Sequence, residues 1–209
     1  DILYFARRVD LQSADMHDHS WNSRLMPGAK NRTLGLVGFG GIGTEVAKRA
    51  VPFGMKVIYF CRHPNPADDA AYGVQSVSME ELLKESDYVV AAVPLTDQTF
   101  HLFNEECIAQ MKASSVLINI ARGPVVDEEA LAQALASGHL GGCAVDVFPK
   151  EPCTDSVLTR YSNALLTPHS ATSTAENSKA TNFAAANNLV NYLKKDIDAK
   201  YVVVQGTRY

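Results

Sequence analysis

Short apolar runs rich in β-branched residues alternate along this chain with segments whose apolar residues recur at helical spacing. The apolar runs are nearly continuous, which is typical of strands buried on both faces. Strands that alternate with helices form βαβ units, and right-handed crossovers make such strands parallel. The pattern therefore predicts an α/β fold, a doubly wound parallel sheet with helices on both faces. The predicted strands are residues 33–38, 56–60, 88–93, 115–120, 142–147 and 164–167, and the predicted helices are 1–9, 41–53, 78–85, 104–111, 128–136 and 173–195.

Composition excludes several classes of protein. The chain has 209 residues, 46% of them hydrophobic and 20% charged, with a formal net charge of −4. This length predicts one to two domains, at about 150 residues per domain. A mildly acidic chain without a Lys/Arg run is a poor binder of nucleic acid or of anionic membranes. Its longest apolar runs fall far short of the roughly 18 residues of a membrane span.

The cysteines indicate a reducing compartment. Four cysteines are scattered along the chain without a C-x-x-C pair, at positions Cys61, Cys107, Cys143 and Cys153. That number is too small for disulfide bonds to stabilise a fold of this size. No His/Cys cluster has the spacing of zinc ligands, so we expect no metal. The sequence shows no targeting segment, and we expect a cytoplasmic location.

A glycine-rich segment between the first predicted strand and its helix is the strongest single motif. The six residues from Gly38 read G-F-G-G-I-G and match G-x-G-x-x-G. Gly38 permits a tight turn, Gly40 lets the backbone approach a pyrophosphate, and Gly43 lets the helix pack closely. The helix N-terminus, at Gly41 and Ile42, offers free N–H groups to that pyrophosphate. The motif predicts a Rossmann-type dinucleotide-binding domain, the alternative being a glycine-rich turn without a ligand.

The end of the second strand bears on the choice of cofactor. An acidic residue there binds the ribose 2′-hydroxyl of NAD, but this chain has Cys61, Arg62 and His63, and its first acid is Asp68. An arginine pairs with a 2′-phosphate, whereas a carboxylate repels it. We therefore expect NADP(H) to be favoured over NAD(H), unless Arg62 points into solvent.

Three further segments follow predicted strands, where open α/β sheets bind their ligands. They are residues 119–127 (NIARGPVVD), 144–152 (AVDVFPKEP) and 166–169 (LTPH). Together with the glycine loop and residues 94–99, they resemble the D-isomer-specific 2-hydroxyacid dehydrogenase family. The stretch Cys-Arg-His-Pro is most similar to that of NADPH-dependent glyoxylate/hydroxypyruvate reductases.

The resemblance implies a set of catalytic residues whose chemistry suits the reduction of a 2-keto acid. Reduction of a 2-keto acid needs a hydride on C2, a proton on the carbonyl oxygen and a cation for the carboxylate. His169 is the expected general acid, because imidazole titrates near neutrality. Glu151 would orient it, and Arg122 would bind the substrate oxygens. Each residue alone is also explained as an ordinary turn residue.

The resemblance also implies cofactor contacts away from the glycine loop. Asp146 would contact the nicotinamide end, and the remaining expected contacts are Pro94, Thr99, Ile120, Ala121, His169 and Ala171. The other histidines have no comparable partners in the motif and are interpreted as surface or linker residues: His17, His19, His63, His101 and His139.

Members of this family are two-lobed, so the resemblance predicts a domain organisation. Residues 1–32 would be an inter-lobe helix and linker, residues 33–172 the dinucleotide-binding domain, and residues 173–209 a crossover helix and tail of the substrate lobe. Because the glycine loop begins at residue 38, we expect the substrate lobe to be largely absent. The chain alone is then expected to bind NADP(H) but to reduce keto acids negligibly.

The expected function is NAD(P)H-dependent reduction of a small 2-keto acid to the D-2-hydroxy acid, by a homodimer that associates through the nucleotide domain. The alternative is a nucleotide-sensing binding protein such as a corepressor, because the family contains such members. Formate dehydrogenase is less favoured, since it has glutamine where Glu151 stands here.

Overall fold

The computed structural model describes residues 1–194, which fall into two units. The first unit is Asp1–Pro168, and the second begins at His169. The first therefore includes residues 1–32, and the division falls slightly before the predicted boundary at residue 172. Residues 195–209, predicted to be the end of the crossover helix and its tail, lie outside the described residues.

The first unit is built on a sheet of seven parallel strands in the order β3-β2-β1-β4-β5-β6-β7. Val37, at the end of β1, pairs with Phe60 on one side and with Ala91 on the other. The carboxyl ends of the central strands are thus level with one another. The strands are β1 (Thr33–Val37), β2 (Lys56–Phe60), β3 (Gln75–Ser76), β4 (Tyr88–Ala91), β5 (Val116–Asn119), β6 (Gly142–Val145) and β7 (Ala164–Leu166).

Seven α-helices belong to the first unit: α1 (Ile2–Arg7), α2 (Val9–His17), α3 (Gly41–Ala50), α4 (Pro66–Tyr72), α5 (Met79–Glu85), α6 (Glu105–Ala109) and α7 (Glu128–Ala136). Several of them begin after a residue whose side chain caps the helix. Ser78 accepts a hydrogen bond from the backbone N–H of Glu81 at 3.1 Å. Asp127 accepts from the first turn of α7, and Asn104 from the first turn of α6. Such caps satisfy N–H groups that a helix start leaves unpaired.

Two apolar cores cover the two faces of the sheet. One contains Leu36 of β1 together with Phe5 of α1 and Ala47 of α3. The other contains Val37 of β1 together with Leu131 of α7. Successive side chains of a strand point to opposite faces, so one strand serves both cores. The predicted doubly wound α/β sheet, with helices on both faces, is confirmed.

Two segments differ from their predictions. The single helix predicted over residues 1–9 breaks at Arg8, whose φ of 40° is left-handed, and α2 then continues to His17. Residues 61–77 contain α4 and β3, neither of which was predicted. Pro66 occupies the first turn of α4, where proline is well tolerated, and Asn65 caps it.

The described part of the second unit contains the helix α8 (Ala175–Leu193). Thr174 caps it by accepting a hydrogen bond from the backbone N–H of Asn177 at 3.1 Å. Its exposed large apolar side chains are Phe183, Leu189, Val190, Tyr192 and Leu193. Among residues 1–194, none of the helices combines the length and apolar character that a bilayer crossing requires.

Candidate cofactor and active site

A cavity of about 420 Å³ opens at the carboxyl ends of β1, β2 and β4. The strand order reverses between β1 and β4, because β2 and β3 lie on one side and the later strands on the other. Ligands of open α/β sheets bind at such a switch point. The cavity wall includes Gly38, Phe39, Gly40, Cys61, Arg62, His63, Pro94, Thr96, Gln98 and Thr99.

The glycines of the loop after β1 have distinct environments. Gly38 has a φ of +102°, and a Cβ there would lie 2.4 Å from the carbonyl oxygen of Ala92. A Cβ on Gly43 would lie 2.4 Å from the carbonyl oxygen of Gly38. At Gly40 and Gly41, by contrast, a Cβ would meet nothing within 4 Å. The loop is therefore packed at both ends and open in the middle. This open N-terminus of α3 fits the pyrophosphate of a dinucleotide.

The loop is anchored by an aromatic residue that the sequence did not single out. Phe39 stacks on Tyr59 of β2 with ring centroids 4.0 Å apart, and its edge meets Tyr72 of α4 at 6.2 Å. Offset aromatic pairs of this kind add specific attraction to ordinary burial. They fix the glycine loop between β2 and α4.

The wall of the cavity at the end of β2 is positively charged. Cys61 is half-buried, while Arg62 and His63 are exposed, and all three line the cavity. No aspartate or glutamate is among the described residues of the wall. His63 is exposed, as predicted, but it also lies beside Arg62 in the cavity wall, a placement that was not predicted. Its position directly after Arg62 was the available signal.

The predicted residues after β5 form a tightly bonded loop. Ala121 is buried and Ile120 half-buried, whereas Arg122 is exposed. The guanidinium Nη1 of Arg122 donates to the carbonyl of Ala121 at 2.7 Å. The side chain of Asn119, the first residue of the motif 119–127 but not a predicted site residue, bonds to both Ala121 and Arg122.

The predicted residues after β6 form a second loop beside the first. Asp146 is buried and accepts a hydrogen bond from the hydroxyl of Thr167. Glu151 accepts one from the backbone N–H of Phe148 at 2.9 Å. A Cβ on Gly123 would lie only 2.0 Å from the carbonyl carbon of Phe148, so the two backbones are in contact. The structure thus brings the loops of Arg122 and Glu151 together.

His169 is the first residue of the second unit and directly follows Pro168, with a φ of 50°. Its place beside Glu151, and that of Ala171 beside a cofactor, stay predictions.

Two histidines interpreted as surface residues have polar partners. Nδ1 of His101 lies 3.7 Å from Oδ2 of Asp127, and its ring stacks on Phe100. Nε2 of His139 lies 3.1 Å from the carbonyl oxygen of Ile108. Both interactions join segments distant in sequence, so no local pattern marks them. Within residues 1–194, no group of three or more His, Cys, Asp or Glu side chains is arranged to hold a metal ion.

A family model for the NAD-binding domain of D-isomer specific 2-hydroxyacid dehydrogenases matches residues 1–171. The chain belongs to this family. A glyoxylate reductase of Thermococcus litoralis is 38% identical over 210 residues, which cover 96% of this chain and 63% of that protein. A hydroxypyruvate reductase of Thermotoga maritima is 40% identical over 181 residues, covering 84% of this chain and 58% of that protein.

Solved structures agree with this membership of the D-2-hydroxyacid dehydrogenase family. The D-lactate dehydrogenase of Aquifex aeolicus, complexed with NAD and lactic acid, has a TM-score of 0.85 and 30% identity, covering 93% of this chain and 64% of that one. The NAD complex of Staphylococcus aureus formate dehydrogenase has a TM-score of 0.87 and 29% identity, covering 99% and 63%. The chain thus spans less than two thirds of the length of these relatives.

Proposed function

We propose that this chain is the nucleotide-binding part of an NAD(P)H-dependent reductase of small 2-keto acids, of the glyoxylate or hydroxypyruvate type. The observation that carries the proposal is the backbone contact between Gly123 and Phe148. It joins a loop bearing an arginine to a loop bearing a glutamate at the carboxyl edge of the sheet that holds the dinucleotide cavity. Relatives that share this domain are named glyoxylate reductase and hydroxypyruvate reductase.

The glycine loop would hold the pyrophosphate through Gly40, Gly41 and the adjoining Ile42 and Gly43, with Gly38 making the turn. The other proposed contacts are Cys61, Arg62, Pro94, Thr99, Ile120, Ala121, Asp146, His169 and Ala171. The reduced nicotinamide supplies the hydride when it is bound.

The reaction needs three groups from the protein. Arg122 would bind the carboxylate of the keto acid through two parallel N–H donors. His169 would donate a proton to the carbonyl oxygen as the carbonyl is reduced. Glu151 would orient the imidazole and stabilise its charged form. The product is the D-2-hydroxy acid.

We further propose that NADP(H) is preferred over NAD(H). The cavity wall carries Arg62 and His63, and its described residues include no carboxylate. A 2′-phosphate is attracted by such a wall, whereas NAD gains nothing from it. The proposed assembly is a homodimer through the nucleotide domain, in the cytoplasm and without nucleic acid as a partner.

The test measures oxidation of NADPH at 340 nm by the full-length protein, with glyoxylate and hydroxypyruvate as substrates. We expect turnover, and we expect His169→Asn to lower kcat by about 10²–10⁴, which is the usual contribution of a general acid. His139→Asn, a histidine whose ring lies against the Ile108 carbonyl, is the control and should leave turnover unchanged. Tight NADPH binding without turnover of either acid would instead favour a nucleotide sensor.

A further inference from the structure

The side chain of Asn119 is buried at the very end of β5. Only 1% of this residue is exposed, although it carries a carboxamide with two donors and an acceptor. The three residues before it in β5 are apolar. A buried amide costs stability unless it is hydrogen-bonded, so its partners show what it holds in place.

Both ends of this carboxamide bond to the loop that follows. Oδ1 accepts from the backbone N–H of Ala121 at 3.1 Å, and Nδ2 donates to the carbonyl of Arg122 at 3.1 Å. The backbone carbonyl of Asn119 accepts from the N–H of Asp146 at 3.2 Å, which ties it to the end of β6. Asn119 therefore clamps the loop through its side chain and is itself held to the end of β6 through its backbone carbonyl.

The clamped residues are those that orient the guanidinium of Arg122. Its Nη1 donates to the carbonyl of Ala121 at 2.7 Å, and the N–H of that same residue is the one Asn119 holds. The carbonyl of Arg122 also accepts from the N–H of Val125 at 3.1 Å. The carboxamide of Asn119 thus bonds to the backbone of both residues, Ala121 and Arg122, that fix the position of the guanidinium.

We propose that Asn119 is a positioning residue, which acts through Ala121 to hold the guanidinium of Arg122 in the orientation that receives the substrate carboxylate. This inference rests on the proposed function. An arginine fork discriminates by geometry, because its two donors must face two oxygens together. A loop free to rotate about Ala121 would lose that alignment and leave the glycine loop and the wall at the end of β2 intact.

The backbone contact of Gly123 with Phe148 limits how far a substitution at Asn119 can disturb the loop. Gly123 stays packed against Phe148 through backbone atoms, which no substitution at Asn119 removes. The sheet and the glycine loop are likewise independent of the carboxamide. We therefore expect variants at Asn119 to fold and to bind NADPH.

The experiment compares Asn119→Ala and Asn119→Asp with the unmodified full-length protein. The aspartate keeps the acceptor for Ala121 but turns an oxygen toward the carbonyl of Arg122. In both variants kcat/KM for glyoxylate should fall about 10–100-fold, mainly through KM, since misplacing a positioning group costs roughly that much. The dissociation constant of NADPH should change far less. Asn163→Ala is the control, because the side-chain amide of Asn163 donates to the carbonyl of Gly141 at the amino ends of β6 and β7, away from the site.

A second comparison separates positioning from general damage. In an Arg122→Ala background the substitution Asn119→Ala should cost nothing more, because the group it positions is gone. An equal loss in both backgrounds, or an unchanged KM in both Asn119 variants, overturns the proposal. If Arg122→Ala itself leaves kcat/KM unchanged, the proposed role of Arg122 fails instead. If Asn119→Ala does not fold, Asn119→Asp carries the same comparison.

Discussion

The glycines of the loop after β1 differ in what a side chain at each position would contact. Gly43 faces the backbone of Gly38, so its lack of a Cβ serves packing. Gly40 faces open space within the cavity wall and has an extended backbone, with φ −91° and ψ −161°. Nothing in the fold itself requires a glycine there. We therefore propose that Gly40 lacks a side chain because a ligand approaches its backbone.

This difference predicts opposite outcomes for two similar substitutions. Gly40→Ala should leave the free energy of unfolding nearly unchanged but weaken NADPH binding about tenfold or more, because its methyl group enters the cavity. Gly43→Ala should lower the free energy of unfolding by about 1–3 kcal/mol through overpacking. Urea unfolding and NADPH fluorescence titration measure the two quantities. Unchanged NADPH affinity in Gly40→Ala would place the dinucleotide elsewhere.

Among the secondary-structure elements, one carboxylate joins the amino ends of β1 and β4 to the segment that precedes β5. Asp87, just before β4, accepts hydrogen bonds from the N–H of Thr33 at 2.8 Å, from Arg32 at 3.2 Å and from Lys112 at 2.9 Å. Burial alone would raise its pKa, but the bonds from Lys112 and Thr33 and the charge of Arg32 outweigh it. The pKa of Asp87 is therefore lowered.

The sign of this shift predicts how the stability depends on pH. A carboxyl whose pKa is lower when folded stabilises the fold above its unfolded pKa of about 3.9. That contribution is lost as the pH falls through the folded value. Asp87→Asn should thus cost about 1–3 kcal/mol of unfolding free energy at pH 7, and the difference should shrink near pH 3.

Urea unfolding at both pH values tests this prediction. Glu80→Gln is the control, because Glu80 pairs with Lys84 on the exposed surface of α5 and should have little effect. A loss in Asp87→Asn that is the same at pH 7 and pH 3 would contradict the role of its charge.

Elements were predictable where a local pattern decides them. The strands and the capped helices follow from apolar periodicity and from cap residues such as Ser78 and Asp127. The segment 61–77 was missed because Pro66 reads as a breaker, although a proline in the first turn starts a helix as readily as it ends one.

In the candidate site, only the residues that belong to recognisable sequence motifs were predictable. Arg122 and Glu151 were marked by sequence, and both loops lie at the expected edge of the sheet. The roles of Asn119 and Gly123 depend on hydrogen bonds and on backbone contact between segments distant in the chain. No periodicity carries that information.

For the whole molecule, ligand binding should appear as added thermal stability. A ligand at 100 times its dissociation constant adds about 2.7 kcal/mol, or about 5–10 °C in Tm for a chain of this size. We expect NADP⁺ to raise Tm of the 209-residue chain more than an equal concentration of NAD⁺ does. The double change Cys61→Asp with Arg62→Ile should reverse this order, because a carboxylate repels a 2′-phosphate. A larger shift with NAD⁺ in the unmodified chain would refute the preference.

The central place of β1 has a consequence for the chain while it is being synthesised. β1 pairs with β2 on one side and with β4 on the other. On the ribosome, β2 emerges soon after β1, but the second edge of β1 stays unpaired until residues 88–91 have emerged. An apolar strand with an open edge is a template for pairing with other chains. Nascent chains halted after β2 has emerged but before β4 has done so should therefore aggregate, and those from which β4 has emerged should be protected.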